Sequence, residues 1–226
     1  MKIQRQPTKV ESFIQNRFKQ GLLWIETHRE QFWAAVGLTL LIIVFVYFAV
    51  RHQKVQNEDA WNQLGLIHGH LVQGHFDTTR KSLQEWENRF GNSSAASYSK
   101  FLKANLLDKT SDYVTASQIY GELAQTAQPM ELRPLALSAQ TTLEEKSGNN
   151  PQALAMAQRF IERYPDHFLT APMYMTQARL NELTGNTSAA AAIYDRFVIL
   201  YPQSPWTALA RTRIQALSGL KTPASK

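Results

Sequence analysis

Residues 148–165, GNNPQALAMAQRFIERYP, and residues 185–202, GNTSAAAAIYDRFVILYP, read as two copies of one unit. A shift of 37 residues sets Leu143 on Leu180, Gly148 on Gly185, Asn149 on Asn186, Ala153 on Ala190 and Ala155 on Ala192. It also sets Arg159 on Arg196, Phe160 on Phe197, Tyr164 on Tyr201 and Pro165 on Pro202. The same period run backwards puts Ser111 and then Gly74 at the glycine position. Ala116 and Leu123 fall at the small and aromatic positions of the intermediate copy, and Trp86 and Phe90 stand at the Phe160 and Tyr164 positions of the first.

Each copy has the punctuation of a helical hairpin. The Gly-Asn pair closes helix A, the Ala-rich run opens helix B, and Tyr-Pro stops helix B because proline cannot continue the ladder. Ala153, Ala155, Ala190 and Ala192 are expected to let paired helices approach closely, and Phe160, Phe197, Tyr164 and Tyr201 to fill the space towards the next hairpin. One hairpin cannot bury its apolar face alone, whereas stacked neighbours can. Alternating Val/Ile/Thr runs and Asn-Gly or Asp-Gly turns are missing, so no strand is expected. The predicted fold is all-α: an α-solenoid of about four helical hairpins over residues 57–218, with Pro205–Leu217 as a C-terminal capping helix and 219–226 as a disordered tail.

On these residues the chain resembles the tetratricopeptide repeat family. With the family's turn glycine on Gly185, its small residue falls on Ala190, its aromatic on Tyr194 and its helix-ending proline on Pro202. In the preceding copy the positions are Gly148, Ala153, Ala157 and Pro165. The period is 37 rather than 34, Phe160 and Phe197 occupy a position that is usually small, and the Trp-Leu-Gly-Tyr pattern of helix A is largely lost. The resemblance implies a TPR-like interaction module.

Upstream, Phe32–Val50 (FWAAVGLTLLIIVFVYFAV) runs for 19 residues without a charged residue, His, Asn, Gln or Pro. As a helix it spans about 28 Å, close to the roughly 30 Å hydrocarbon core of a bilayer. Trp33 and Tyr47 near its ends suit an aromatic belt. It is long for a signal peptide and lacks a good cleavage site, so an uncleaved single span is expected. Residues 1–31 are expected to form a cytoplasmic tail, with Lys9–Ile25 either an amphipathic helix in the headgroup layer or an extension of the span. Residues 51–56 read as a short linker. Six Lys/Arg precede the span, whereas Arg51 and Lys54 are the only ones between it and Arg80. That asymmetry predicts a cytoplasmic N-terminus and, in a Gram-negative cell, a periplasmic repeat domain anchored in the inner membrane.

The whole layout, a short basic N-terminus, IETHREQFWAAVGL (25–38) leading into one span, and a divergent TPR-like domain, resembles the ancillary SecYEG translocon subunit family. The same domain type occurs in periplasmic cell-division coordinators and in lipoproteins of outer-membrane assembly, and YPDHF (164–168) and YPQSPW (201–206) are similar to the latter. The first resemblance implies a scaffold or chaperone-type adaptor whose partners are the protein-conducting channel and emerging secreted or membrane clients. The others imply an envelope organiser whose domain forms homo-oligomers.

Chemistry is sparse. The formal charge is +6, shared between the N-terminal 31 residues and the remainder, with no basic cluster to suggest nucleic-acid binding. The chain has no Cys. His68 and His70 point about 200° apart on a helix and cannot share a metal. Glu144-Glu145 and Glu85/Glu87 read as solvated helix faces, and no phosphate loop, HExxH or GxSxG is present. No catalytic residue, cofactor or metal ligand is expected. The expected site is a groove lined by the A helices, for a peptide or partner helix. Asn62, Asn105, Gln140, Gln177 and Asn181 are candidates for hydrogen bonds to an extended backbone.

Overall fold

The computed structural model describes residues 28–219, so the amphipathic segment and residues 220–226 of the expected C-terminal tail lie outside the described residues, while Gly219, expected in that tail, is helical. Those residues hold helices only: α1 (Arg29–Val72), α2 (Phe76–Phe90), α3 (Ala96–Lys109), α4 (Tyr113–Thr126), α5 (Leu132–Lys146), α6 (Asn150–Arg163), α7 (Thr170–Leu183), α8 (Thr187–Leu200) and α9 (Thr207–Gly219). The chain divides into two compact units at Val55/Gln56.

In the first unit, α1 carries the apolar span. It is the one described helix long and apolar enough to cross a membrane, and none of its most apolar 18-residue window is buried. A core helix of a soluble domain would hide such a surface. Thr39, the polar residue inside the span, donates its hydroxyl to the Ala35 carbonyl at 2.8 Å, which satisfies it without a partner helix. Residues 51–56, expected as a linker, lie within α1.

In the second unit the C-terminal part of α1 pairs with α2, and α3/α4, α5/α6 and α7/α8 form three further hairpins that α9 closes as a cap. The turns between A and B helices repeat to the hydrogen bond. Gly74, Ser111, Gly148 and Gly185 all take positive φ, at 80°, 66°, 79° and 82°. After each, the next amide bonds back five residues: His75 to His70, Asp112 to Leu107, Asn149 to Glu144 and Asn186 to Asn181, at 2.8–2.9 Å. This Schellman closure satisfies carbonyls that a helix end leaves open. It needs a left-handed residue once per repeat, which is why glycine recurs there.

The B helices bury a stripe at the same period. Thr79, Ala116, Ala153 and Ala190 are completely buried, as are Trp86, Leu123, Phe160 and Phe197 to within 1%. Ala155 and Ala192, expected at the helix contact, are instead exposed. They sit two residues, about 200°, away from Ala153 and Ala190, and the second contact falls four residues on, at Ala157 and Tyr194. At the B-to-A turns, Thr170 and Thr207 donate their hydroxyls to the Tyr164 and Tyr201 carbonyls at 2.6 and 2.7 Å. One repeat earlier, Arg133 Nε does the same to the Ala127 carbonyl at 3.0 Å.

Candidate binding groove

A cleft of about 460 Å³ opens between α7 and α9. Pro172, Met175, Thr176, Arg179 and Glu182 line it from α7, and Trp206, Leu209 and Arg213 line it from the other wall. Their spacing on α7 is that of one helix face. Tyr194 of α8 closes the floor and donates its hydroxyl to Glu182 Oε1 at 2.7 Å. Arg213 clamps the same carboxylate, with Nε donating to Oε1 at 3.1 Å and Nη2 to Oε2. The Arg213 guanidinium holds the Glu182 carboxyl below its usual range. Burial, reinforced by the hydrogen bond to Glu182, pushes the Tyr194 phenol up to about 12.

The 37-residue register carries the same face along the solenoid. Pro172 and Leu209 correspond to Leu135, Tyr98 and Trp61, and the Trp61 and Tyr98 rings are 5.6 Å apart. Successive A helices are also tied across this face: Asp108 to Lys146 at 2.9 Å, then Glu145 to Arg179 and Glu182 to Arg213. The three acids follow the period. Their cationic partners stay about half exposed, so each pair contributes only about 0–1 kcal/mol. The pairs fix orientation more than stability.

Two segments of the chain, residues 136–167 and 174–204, match a tetratricopeptide repeat model. No curated protein matches the chain. The repeat domain is TPR-like. The matched segments cover most of the third and fourth hairpins of this TPR-like unit, and the latter contributes one wall of the cleft.

The polar residues proposed from sequence lie elsewhere than the cleft. Asn62 is exposed at the position where Ser99, Ala136, Met173 and Ala210 are buried in later A helices. Asn105 accepts the Tyr120 hydroxyl at 2.9 Å, and Gln140 donates to the Ser117 carbonyl of α4 at 3.3 Å. Asn181 is buried and donates to the Gln177 carbonyl at 2.9 Å. These two share a helix turn; the five residues are otherwise spread over four hairpins. Three of them therefore spend side-chain hydrogen bonds inside the TPR-like fold.

The solvated reading of Glu144 is corrected as well. Glu144 is 7% exposed and accepts Ser117 Oγ at 2.5 Å and Asn149 Nδ2 at 2.8 Å. It faces α4 across a hairpin junction, and two donors there offset its burial. Glu145 and Glu87 are paired, with Arg179 and with Lys103. Among the described residues no group of three His, Asp or Glu is placed to hold a metal ion. Pro172 and Met175 lie on the A-helix segment 172–183 that the sequence offered as groove lining, whereas Trp206 and Leu209, read as part of the cap, were missed; Leu209 stands at the repeat position of Trp61, Tyr98 and Pro172 once α9 is counted as a fifth A helix.

Proposed function

We propose that this chain is a membrane-anchored, non-catalytic adaptor that holds a peptide or helix of a protein partner against the A-helix face of its TPR-like domain. The observation that carries this reading is the cleft between α7 and α9, apolar at Pro172, Met175, Leu209 and Trp206 and rimmed by Arg179 and Arg213. Partly exposed Leu209 and Trp206 offer the surface that peptide grooves use as anchors. The span supplies an address. Single-pass anchoring with the repeat domain on the periplasmic side, beside the protein translocation machinery, follows from the charge asymmetry and the layout resemblance. Its partners are then the channel and secreted or membrane clients.

A photo-crosslinking amino acid at Leu209 of the full chain, expressed in its own membrane, tests the groove. It should capture discrete protein partners that the same probe at Val114 does not, and mass spectrometry should find translocation components among them. Identical capture at both positions would refute the groove. Capture of division or cell-wall proteins alone would keep the groove and replace the translocon by an envelope complex.

A further inference from the structure

At each junction between successive hairpins the 37-residue register brings three positions together: one on the B helix before it, one on the A helix and one on the B helix after it. Between the third and fourth hairpins these are Ile161, Tyr174 and Ile193, which belong to one apolar cluster. Between the second and third they are Ala124, Leu137 and Met156, again in one cluster. Between the first and second they are Glu87, Lys100 and Ile119, and there the space is open. A cavity of about 280 Å³ lies between α2, α3 and α4, lined by all three.

The cavity is apolar at Trp86 and Ile119 and holds one unsatisfied polar group. Ser99 is 1% exposed, lines the cavity, and its hydroxyl has no hydrogen-bond partner. The Trp86 indole is already spent on the Ala60 carbonyl, at 2.9 Å. A buried hydroxyl left unpaired is costly, so a ligand that reaches Ser99 with a polar tip recovers that cost. Two cations line the rim, and each is neutralised. Lys100 Nζ donates to Glu122 Oε1 at 2.6 Å, and Lys103 Nζ to Glu87 Oε1 at 3.1 Å. An anion would have to compete with both carboxylates, whereas a neutral group leaves both pairs in place.

The filled junctions indicate what kind of group fits. In the fourth hairpin the Lys100 position is Tyr174, 6% exposed, with the Arg196 guanidinium over its ring at 5.7 Å. In the open junction Lys100 and Lys103 offer cations beside the empty place, and a ring gains from such neighbours. Size allows one, since a cavity of roughly 150 Å³ already admits benzene. We propose that this cavity is a second docking site, which takes a tyrosine side chain of a protein partner in the place that Tyr174 fills from within two hairpins later. The ring lies against Trp86 and Ile119, and the hydroxyl meets Ser99 Oγ. The site shares no lining residue with the α7/α9 cleft, so it does not rest on the groove reading.

The full chain in mild detergent, labelled at its isoleucine δ1 methyls, would be titrated by NMR with the blocked tripeptides Ala-Tyr-Ala and Ala-Phe-Ala. Ile119 is the probe, and Ile193, its counterpart in the filled junction, is the control. The tyrosine peptide should shift Ile119 saturably and leave Ile193 unmoved. The phenylalanine peptide should bind roughly fivefold more weakly, for want of the bond to Ser99. Ser99→Ala, which installs the residue found at positions 136 and 210, should keep the fold and erase that difference. Lys100→Tyr should fill the cavity from within and abolish the shift. An unmoved Ile119, an equal shift at Ile193, or equal affinity for the two peptides in the unmodified chain would overturn the inference. So would an undiminished shift in Lys100→Tyr.

Discussion

Ser111 holds a conformation that its repeat equivalents give to glycine, and this makes Ser111→Gly a stabilising substitution. Its φ is 66°, where a side chain on an L-residue costs about 1–2 kcal/mol. Glycine returns part of that gain, about 0.4–1 kcal/mol, because it enlarges the unfolded ensemble. The difference leaves the variant about 1 kcal/mol more stable. In a unit of this size, that raises Tm by about 2–4 °C. The mirror experiment is Gly148→Ala. A Cβ there would meet nothing within 4 Å, so its cost is the left-handed backbone alone, about 1 kcal/mol. Both variants of the full chain would be followed by circular dichroism in mild detergent, with hydrogen exchange at the Asp112 and Asn149 amides to localise the change. Local readout is needed because a solenoid does not have to unfold in one step. A fall in Tm for Ser111→Gly, or a rise for Gly148→Ala, would refute the account of the turns.

Phe197→Ala empties a fully buried position between α8 and its neighbours and should cost about 3–5 kcal/mol. Because stability passes only between adjacent hairpins, exchange protection should collapse in α7–α9 while α2 and α3 keep theirs; uniform loss would contradict the solenoid. Thr207→Val keeps the volume but removes the hydroxyl donated to Tyr201, and chemical denaturation should show a loss of about 1 kcal/mol that Thr212→Val, on the exposed face of α9, does not. The cleft should respond to pH in two windows. The lowered Glu182 pKa contributes stability that is present above the ordinary value of 4.5 and is lost as pH falls through the folded value; the raised Tyr194 pKa contributes stability present below 10 and lost as pH rises towards about 12. Exchange in α9 measured against pH should weaken at both ends, and Glu182→Gln should abolish the acid limb.

The architecture was legible because it is written in a period. Gly74, Gly148 and Gly185 mark one backbone requirement, and even Ser111 could be placed by counting. Trp86, Leu123, Phe160 and Phe197 differ in chemistry but share a position, and all are buried. The groove was less legible for a physical reason. Polar residues on an A helix face either the groove or the helices packed against it, and both faces recur at the same period. Asn105, Gln140 and Asn181 turned out to serve the fold through Tyr120, Ser117 and the Gln177 carbonyl. The ion pairs show the other limit. Asp108, Glu145 and Glu182 follow the period, whereas their partners Lys146, Arg179 and Arg213 do not, because each crosses to the next helix at a different height. Glu144 was misplaced for the same reason: its donor Ser117 lies 27 residues away on another helix.

Those ion pairs also constrain what the cleft can recognise. Arg179 and Arg213 rim the cleft with cationic groups, yet each is already held by a carboxylate of the preceding A helix. An acidic ligand would have to compete with Glu145 and Glu182, and the local charge it meets is close to neutral. Selectivity then falls to the apolar surface at Pro172, Met175, Trp206 and Leu209, with the guanidiniums free to hydrogen-bond only through the donors their carboxylates leave unused. The proposed tether would change the affinity requirement, because confinement beside a partner complex raises the effective concentration of a cleft without adding a contact. On the proposed reading, an apolar, charge-balanced groove and an uncharged span are two halves of one device: the span would raise the local concentration, and the groove would need only modest affinity.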